Sequence, residues 1–245
     1  MNTEIQTKPT EQTAAEVHVS NGIYAKYIKR WMDTFLSLCA IIVLSPLLGL
    51  LTVIGAIAMK GNPFFTQLRP GKIDKKTGRE KIFRLIKFRT MTCEKDKDEK
   101  LLPDEKRLTK YGKFLRSTSL DELPELFNIL KGDMSVIGPR PLLPEYLPYY
   151  TEREHHRHDV RPGLSGLAQI NGRNSLKWEK RFEIDIEYVE NISLKQDVGI
   201  IVRTVLNVLR KKGVAENTNA EEGNFAEIRK AEIEKSLLIT EEKFK

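Results

Sequence analysis

The 245-residue chain carries 41 Lys and Arg against 34 Asp and Glu, a formal net charge of +7, with 40% hydrophobic residues. That length suits one domain with appendages. Two cysteines, Cys39 in an apolar run and Cys93 in a charged stretch, exclude a disulfide framework and a Cys-based zinc site, and point to a reducing compartment. The basic balance suits nucleic acid, an anionic membrane surface or phosphate-bearing substrates. The basic stretches are poor in aromatics and no nucleic-acid motif stands out, so nucleic acid is not an expected partner.

Residues 1–21 are polar and read as a flexible tail. Residues 22–60 form a membrane element around "FLSLCAIIVLSPLLGLLTVIGAIAM", Phe35 to Met59, which holds no charge. As a straight helix it would reach ~37 Å, longer than the ~30 Å hydrocarbon layer. It is too long for a secretory signal. Pro46 cannot bond the Ile42 carbonyl, and the Ser45 hydroxyl can serve that carbonyl instead. Lys26, Lys29 and Arg30 precede the run, while Lys60, Arg69 and Lys72 follow it. Positive residues prefer the cytoplasmic side, so both ends want the same side. A helix broken at Ser45-Pro46 that dips in and returns satisfies this. A kinked spanning helix is the alternative, and the residues leave both open.

Residues 61–213 read as the folded domain. "PFFTQLRPGKIDKKTGREKIFRLIKFRTM" predicts two strands around a polar Asp74–Arg79 turn with Gly78. "CEKDKDEKLLPDEKRLTKYGKFLR" predicts a charged connection leading into a short helix. "VRPGLSGLAQINGRN" is Gly-rich and reads as irregular loop. Trp178, Phe182, Ile186 and Val189 have helical spacing, and a second helix carries the stripe Leu194, Val198, Ile201, Val202, Val205, Leu206 and Leu209. That stripe suits either a core-facing helix or an amphipathic helix at a membrane surface. From Val214 to Lys245 the chain is charged and reads as a solvated helix or disordered tail. The fold class expected is α+β, mostly helical with a small β-hairpin.

The densest chemistry lies in "TSLDELPELFNILKGDMSVIGPRPLL". Ser119 and Glu122 have capping-box spacing, but Pro124 would then fall in the second helical turn. If Pro124 opens the helix instead, it ends at Gly132 and Asp121 and Glu122 stand just before it. Either register puts the carboxylates at the positive helix end, which favours an ionised Asp. Such an Asp suits a carboxylate nucleophile or a divalent-cation ligand. Lys87, Arg89, Arg116 and Arg140 lie near in sequence, and Arg140 is stiffened between two prolines. Arg161 and Arg173 sit in glycine-containing loops. Together these form a modest phosphate-site signal.

"KFRTM", "TSLDELPELFNILKGDMSVIGPRPLL", "RPGLSGLAQINGRN" and "KQDVGIIVRTV" together resemble the bacterial sugar transferases, and more narrowly the small monotopic polyprenyl-phosphate phosphoglycosyl transferases. The resemblance implies transfer of a sugar 1-phosphate from a UDP-sugar to undecaprenyl phosphate at the cytoplasmic face of the bacterial inner membrane, with release of UMP, as the first membrane step of a surface glycan. It implies that Asp121 is the nucleophile of a covalent phosphosugar intermediate, with Glu122 as its partner in accepting a proton or assisting a metal. Mg²⁺ at Asp121 is implied, as are Lys87, Arg116, Arg140, Arg173, Asp197 and, less directly, Arg161 as substrate-binding residues. Ser45-Pro46 matches the break of a re-entrant hairpin in the family. Membrane lipids and downstream glycosyltransferases are the further partners. The competing reading is a membrane-tethered basic adaptor without catalysis.

Overall fold

The computed structural model describes residues 17–172, 176–210 and 223–243. A π-helical turn, Tyr24–Ile28, leads into α1, Lys29–Ala58. The expected break at Ser45-Pro46 is absent: α1 is one uninterrupted helix with Pro46 inside it. The Ser45 Oγ donates to the Ile42 carbonyl at 2.8 Å, replacing the bond that proline cannot make and letting the helix run on. The helix from Tyr24 to Ala58 is long and apolar enough to cross a membrane.

Yet α1 does not stand apart. Arg30 donates to the carbonyls of Ile129 and Leu130, and Asp33 accepts from the Ser135 hydroxyl at 2.7 Å and the Val136 N–H at 3.0 Å. Ala40, Ile41 and Leu44 pack on Phe83, Leu85, Leu126, Ile129 and Met134. Leu47, Leu48 and Leu51 pack on Phe88 and Leu115, and the Tyr111 hydroxyl bonds the Leu51 carbonyl. One stripe of α1 is therefore seated on the domain from end to end. The opposite face is apolar and bare, with Trp31 79%, Val43 75% and Ile57 74% exposed.

The hairpin forms as expected. Strands β1, Phe64–Ile73, and β2, Glu80–Phe88, pair antiparallel with Phe64 opposite Phe88 and Pro70 opposite Ile82. Gly78 supplies the positive φ (67°) of the turn. Helices α2, Asp104–Arg107, and α3, Lys110–Thr118, follow, then a 3₁₀ turn Leu120–Glu122 and α4, Glu125–Lys131. Strand β3, Ser135–Ile137, pairs in parallel with β4, Gly163–Ser165. Between them run the 3₁₀ segment Pro144–Tyr149, α5, Glu152–His155, and a turn His156–His158. The segment read as irregular loop instead holds β4 and a short helix α6, Leu167–Asn171. Leu167 and Ile170 turn inward onto Ile137, Tyr188, Ile192 and Ile200, and that burial overrides the flanking glycines.

Helices α7, Trp178–Glu190, and α8, Leu194–Leu209, match their sequence spacing. Of the two readings of the α8 stripe, the outward one holds: Leu194, Val198, Val202, Val205, Leu206 and Leu209 are 41–74% exposed, while Asp197 and Ile200 are buried. The charge-rich C-terminal segment contains α9, Phe225–Lys243, whose first residue is buried at 1% exposure.

Backbone contact controls one substitution strongly. A Cβ on Gly112 would lie 1.9 Å from the Thr90 carbonyl oxygen, whereas one on Gly199 meets nothing within 4 Å. Gly112→Ala should lower thermal stability by about 1–3 kcal/mol or more through overpacking. Gly199→Ala should raise it by roughly 0.5–1 kcal/mol. Thermal unfolding of the two variants, monitored by circular dichroism, checks the contrast.

Candidate active site

The Asp121-Glu122 pair is caught between two helix ends. Ser119 ends α3 in a left-handed conformation (φ 56°) and makes no side-chain cap, so the capping box does not form. Pro124 opens α4, and Gly132 (φ 93°) closes it. The second of the two registers is the one adopted, and both carboxylates project from the short turn between α3 and α4.

Glu122 gathers the cations. Its Oε1 lies 2.9 Å from Lys87 Nζ and 2.7 Å from Arg140 Nη2. Burial alone would raise the Glu122 carboxyl, but the Arg140 and Lys87 charges outweigh it and hold it well below the usual carboxylate range. Its two ion pairs suit Glu122 to positioning Lys87 and Arg140. Lys87 also lies 3.1 Å from the buried Glu125, which the sequence reading missed. The signal was present, since Glu125 stands three residues after Glu122 in a run of Leu and Pro. Burial pushes Glu125 up to about 7.

Asp121 differs from its neighbour. It forms no ion pair among the described residues and faces a cleft of about 890 Å³. Burial, reinforced by the Glu122 charge, raises it from 3.8 to about 6 against the pull of Lys87 and Arg140. Desolvation is the larger effect here. Above neutrality Asp121 is still mostly ionised.

The cleft walls have two characters. One carries Arg69, Lys87, Arg89, Arg107, Arg116 and Arg140. Arg116 is held by Thr90 Oγ1 at 3.1 Å and is in no ion pair among the described residues. The Nε atoms of Arg69 and Arg107 are buried without a partner among the described residues, as donors awaiting an anion would be. The other wall is apolar, with Leu164, Ile170, Ile201, Val205 and Val208. Arg69 and Arg107 escaped the sequence reading because neither lies in the motifs that carry the acidic pair and its neighbouring cations. Folding of the hairpin and of α2 brings them in.

Two predicted residues lie elsewhere. Arg161 donates to the Gly132 carbonyl at 3.0 Å and, with Arg30, caps the C-terminal end of α4. Asp197 is 1% exposed and accepts from Tyr24 and Lys29, both at 2.6 Å, and from Tyr188 at 2.8 Å. It fastens the start of α1 to α8, and neither residue lines the cleft. Arg173 lies outside the described residues. At the cleft wall, Asp185 forms a buried pair with Arg157 at 2.7 Å, and Arg157 Nη2 donates to the Arg140 carbonyl at 2.8 Å. Asp185 was legible as a carboxylate on the same helical face as Phe182 and Val189.

A half-buried carboxylate in no ion pair among the described residues, with Lys87 and Arg140 on its neighbour and an apolar wall in the same cleft, suits phosphorylated compounds beside an apolar surface. A family model described as bacterial sugar transferase matches residues 24–211, and the chain belongs to that family. It is 49% identical over 178 residues to the uncharacterized sugar transferase EpsL of Bacillus subtilis, covering 72% of this chain and 85% of that protein. It is 41% identical to a UDP-glucose:undecaprenyl-phosphate glucose-1-phosphate transferase of Klebsiella pneumoniae, over 76% of this chain and 40% of that protein. It is 35% identical to an undecaprenyl-phosphate galactose phosphotransferase of Salmonella typhimurium, over 77% of this chain and 42% of that protein. The chain thus spans less than half the length of these last two relatives.

Proposed function

We propose that the protein transfers a sugar 1-phosphate from a UDP-sugar to undecaprenyl phosphate by way of a phosphosugar bound to Asp121. The observation that carries this is the contrast within the dyad: Glu122 is locked between Lys87 and Arg140, while Asp121 faces the cleft without an ion pair. In the first step an Asp121 carboxylate oxygen bonds to the sugar-bearing phosphorus, and the bond from that phosphorus to the oxygen bridging to UMP breaks. UMP leaves with that oxygen. In the second step an oxygen of the lipid phosphate bonds to the same phosphorus, the bond to Asp121 breaks, and the carboxylate is restored. Lys87, Arg116 and Arg140 offset the negative charge of two anionic substrates that bind in turn.

Mg²⁺ is held by oxygen ligands, commonly one or two carboxylates plus substrate phosphates. No cluster of three His, Cys, Asp or Glu among the described residues forms a dedicated cage. Asp121, the cleft carboxylate free of ion pairs, fits the substrate-borne mode. Bound there with the donor, the ion would neutralise diphosphate charge.

The seating of α1 supports a membrane element that lies along one side of the bilayer without crossing it. Contacts near Arg30 and near Leu51 both reach the same domain, so the two helix ends have no bilayer between them. The bare faces of α1 and α8 then lie in the head-group region, with the cleft on the cytoplasmic side. Cysteine labelling at positions 22 and 61 should find both on the cytoplasmic face; opposite sides would refute the topology.

A short incubation with radiolabelled UDP-sugar and no lipid should leave label on the protein, and UMP release across a panel of UDP-sugars identifies the donor. No label with any donor refutes the covalent step. The dependence on pH is a separate check. The kcat/KM for the donor should climb through pH of about 6, where Asp121 ionises, and level off above. Lys87→Met removes a charge that lowers Asp121 and should move this limb upward.

A further inference from the structure

The C-terminal helix lies beyond the family match, which ends at residue 211, yet it is plugged into the domain. Phe225, its first residue, is 1% exposed inside a box of aromatic rings. Its centroid lies 5.5 Å from Tyr150 and from Trp178, 5.3 Å from Tyr146 and 5.1 Å from Phe182. Arg229 sits over the Phe225 ring at 5.2 Å and donates to Glu154 Oε1 at 2.8 Å. Past Arg229 the helix is largely exposed through Ser236. The docking therefore rests on the first turn and a half, with Phe225 at its centre, Ala226 and Ile228 packed against the same cluster, and Arg229 bound to Glu154.

The box shares its walls with the cleft. Leu142 belongs to both. Tyr150, stacked on Phe225, receives the Arg157 Nη1 at 3.4 Å, and the same guanidinium holds the Arg140 carbonyl. Trp178 carries the Arg181 guanidinium 4.2 Å above its ring, and Arg181 lines the cleft. Two short chains of contact thus run from Phe225 to two cations of the cleft.

We propose that α9 is a strut of the cleft and that Phe225 is a positioning residue, wedging the aromatic box so that Arg140 and Arg181 hold their places for the donor diphosphate. This rests on the transferase reading for its kinetic consequence and on the fold alone for its structural one. Without the ring, Tyr150 and Trp178 gain room to turn, and the arginines they carry lose their set positions.

The test compares full-length Phe225→Ala and Phe225→Leu with the natural protein at a temperature where circular dichroism shows all three folded. Hydrogen–deuterium exchange should quicken over residues 138–143 and 178–186 in Phe225→Ala and recover most of the way in Phe225→Leu. The KM for the UDP-sugar should rise about ten-fold in Phe225→Ala, with a smaller fall in kcat, as expected for coupling through packed side chains. Unchanged exchange over 138–143 overturns the strut whatever the kinetics do. So does a loss of kcat alone with KM unchanged. If the natural protein releases UMP from no UDP-sugar, the transferase reading falls, and the exchange comparison by itself decides the strut.

Discussion

Asp121→Asn should abolish sugar-phosphate transfer and at the same time make the protein more stable. Loss of a covalent nucleophile should lower turnover by about 10³-fold or more, since the amide cannot form the phosphosugar bond. Glu122, Lys87 and Arg140 keep their mutual contacts, so the fold and membrane association should persist. The stability gain follows from linkage. Burial raises Asp121 from 3.8 to about 6. The stability tied to its protonated form is fully present below 3.8 and is lost as pH rises through about 6. At pH 7.5 the natural protein therefore holds an ionised carboxylate at a cost that asparagine avoids. Melting temperatures at pH 7.5 should favour the variant, and the difference should shrink as pH falls toward 4. Substantial residual UMP release would remove Asp121 from its role. A variant less stable at pH 7.5 would show that the carboxylate is structural.

The second large effect lies at the Arg157–Asp185 pair. Both side chains are nearly inaccessible, at 1% and 3% exposure. Asp185→Ala leaves an uncompensated buried guanidinium and should cost about 3–5 kcal/mol. For a chain of this size that corresponds to a fall of roughly 10 °C in Tm. The double variant Arg157→Met, Asp185→Leu should recover much of that stability, because two apolar side chains replace two desolvated charges. It should not recover activity, since the Arg140 carbonyl still lacks the donor that Arg157 supplied at 2.8 Å. Calorimetry and UMP release on the single and double variants separate the two roles. Full activity in the double variant would show that Arg157 does not position Arg140.

Glu122 and Asp121 show where reading residue types stops. Adjacent carboxylates before a proline were visible at once, but their division of labour was not. It depends on which one meets Lys87 and Arg140, two residues 35 and 18 positions from Glu122. Arg161 and Asp197 show the same limit in the opposite sense. Each is a charged residue in a dense motif and invites a substrate role. Their partners, the Gly132 carbonyl and the Lys29–Tyr24–Tyr188 group, come from distant segments and make them fasteners of α4 and α1. Pro46 was read correctly as a missing bond. The Ser45 hydroxyl and the long seat of α1 on the domain decided that no break results.

Local patterning determined the hairpin around Gly78, the periodic helices α7 and α8, the apolar run, and the acidic pair with its proline and glycine limits, since each depends on residues within a turn or two of one another. The tertiary structure decided the direction of the α8 stripe, the assembly of Arg69 and Arg107 beside Asp121, and the burial of Phe225. Those outcomes depend on desolvation and on partners from far along the chain, and spacing within a segment carries neither.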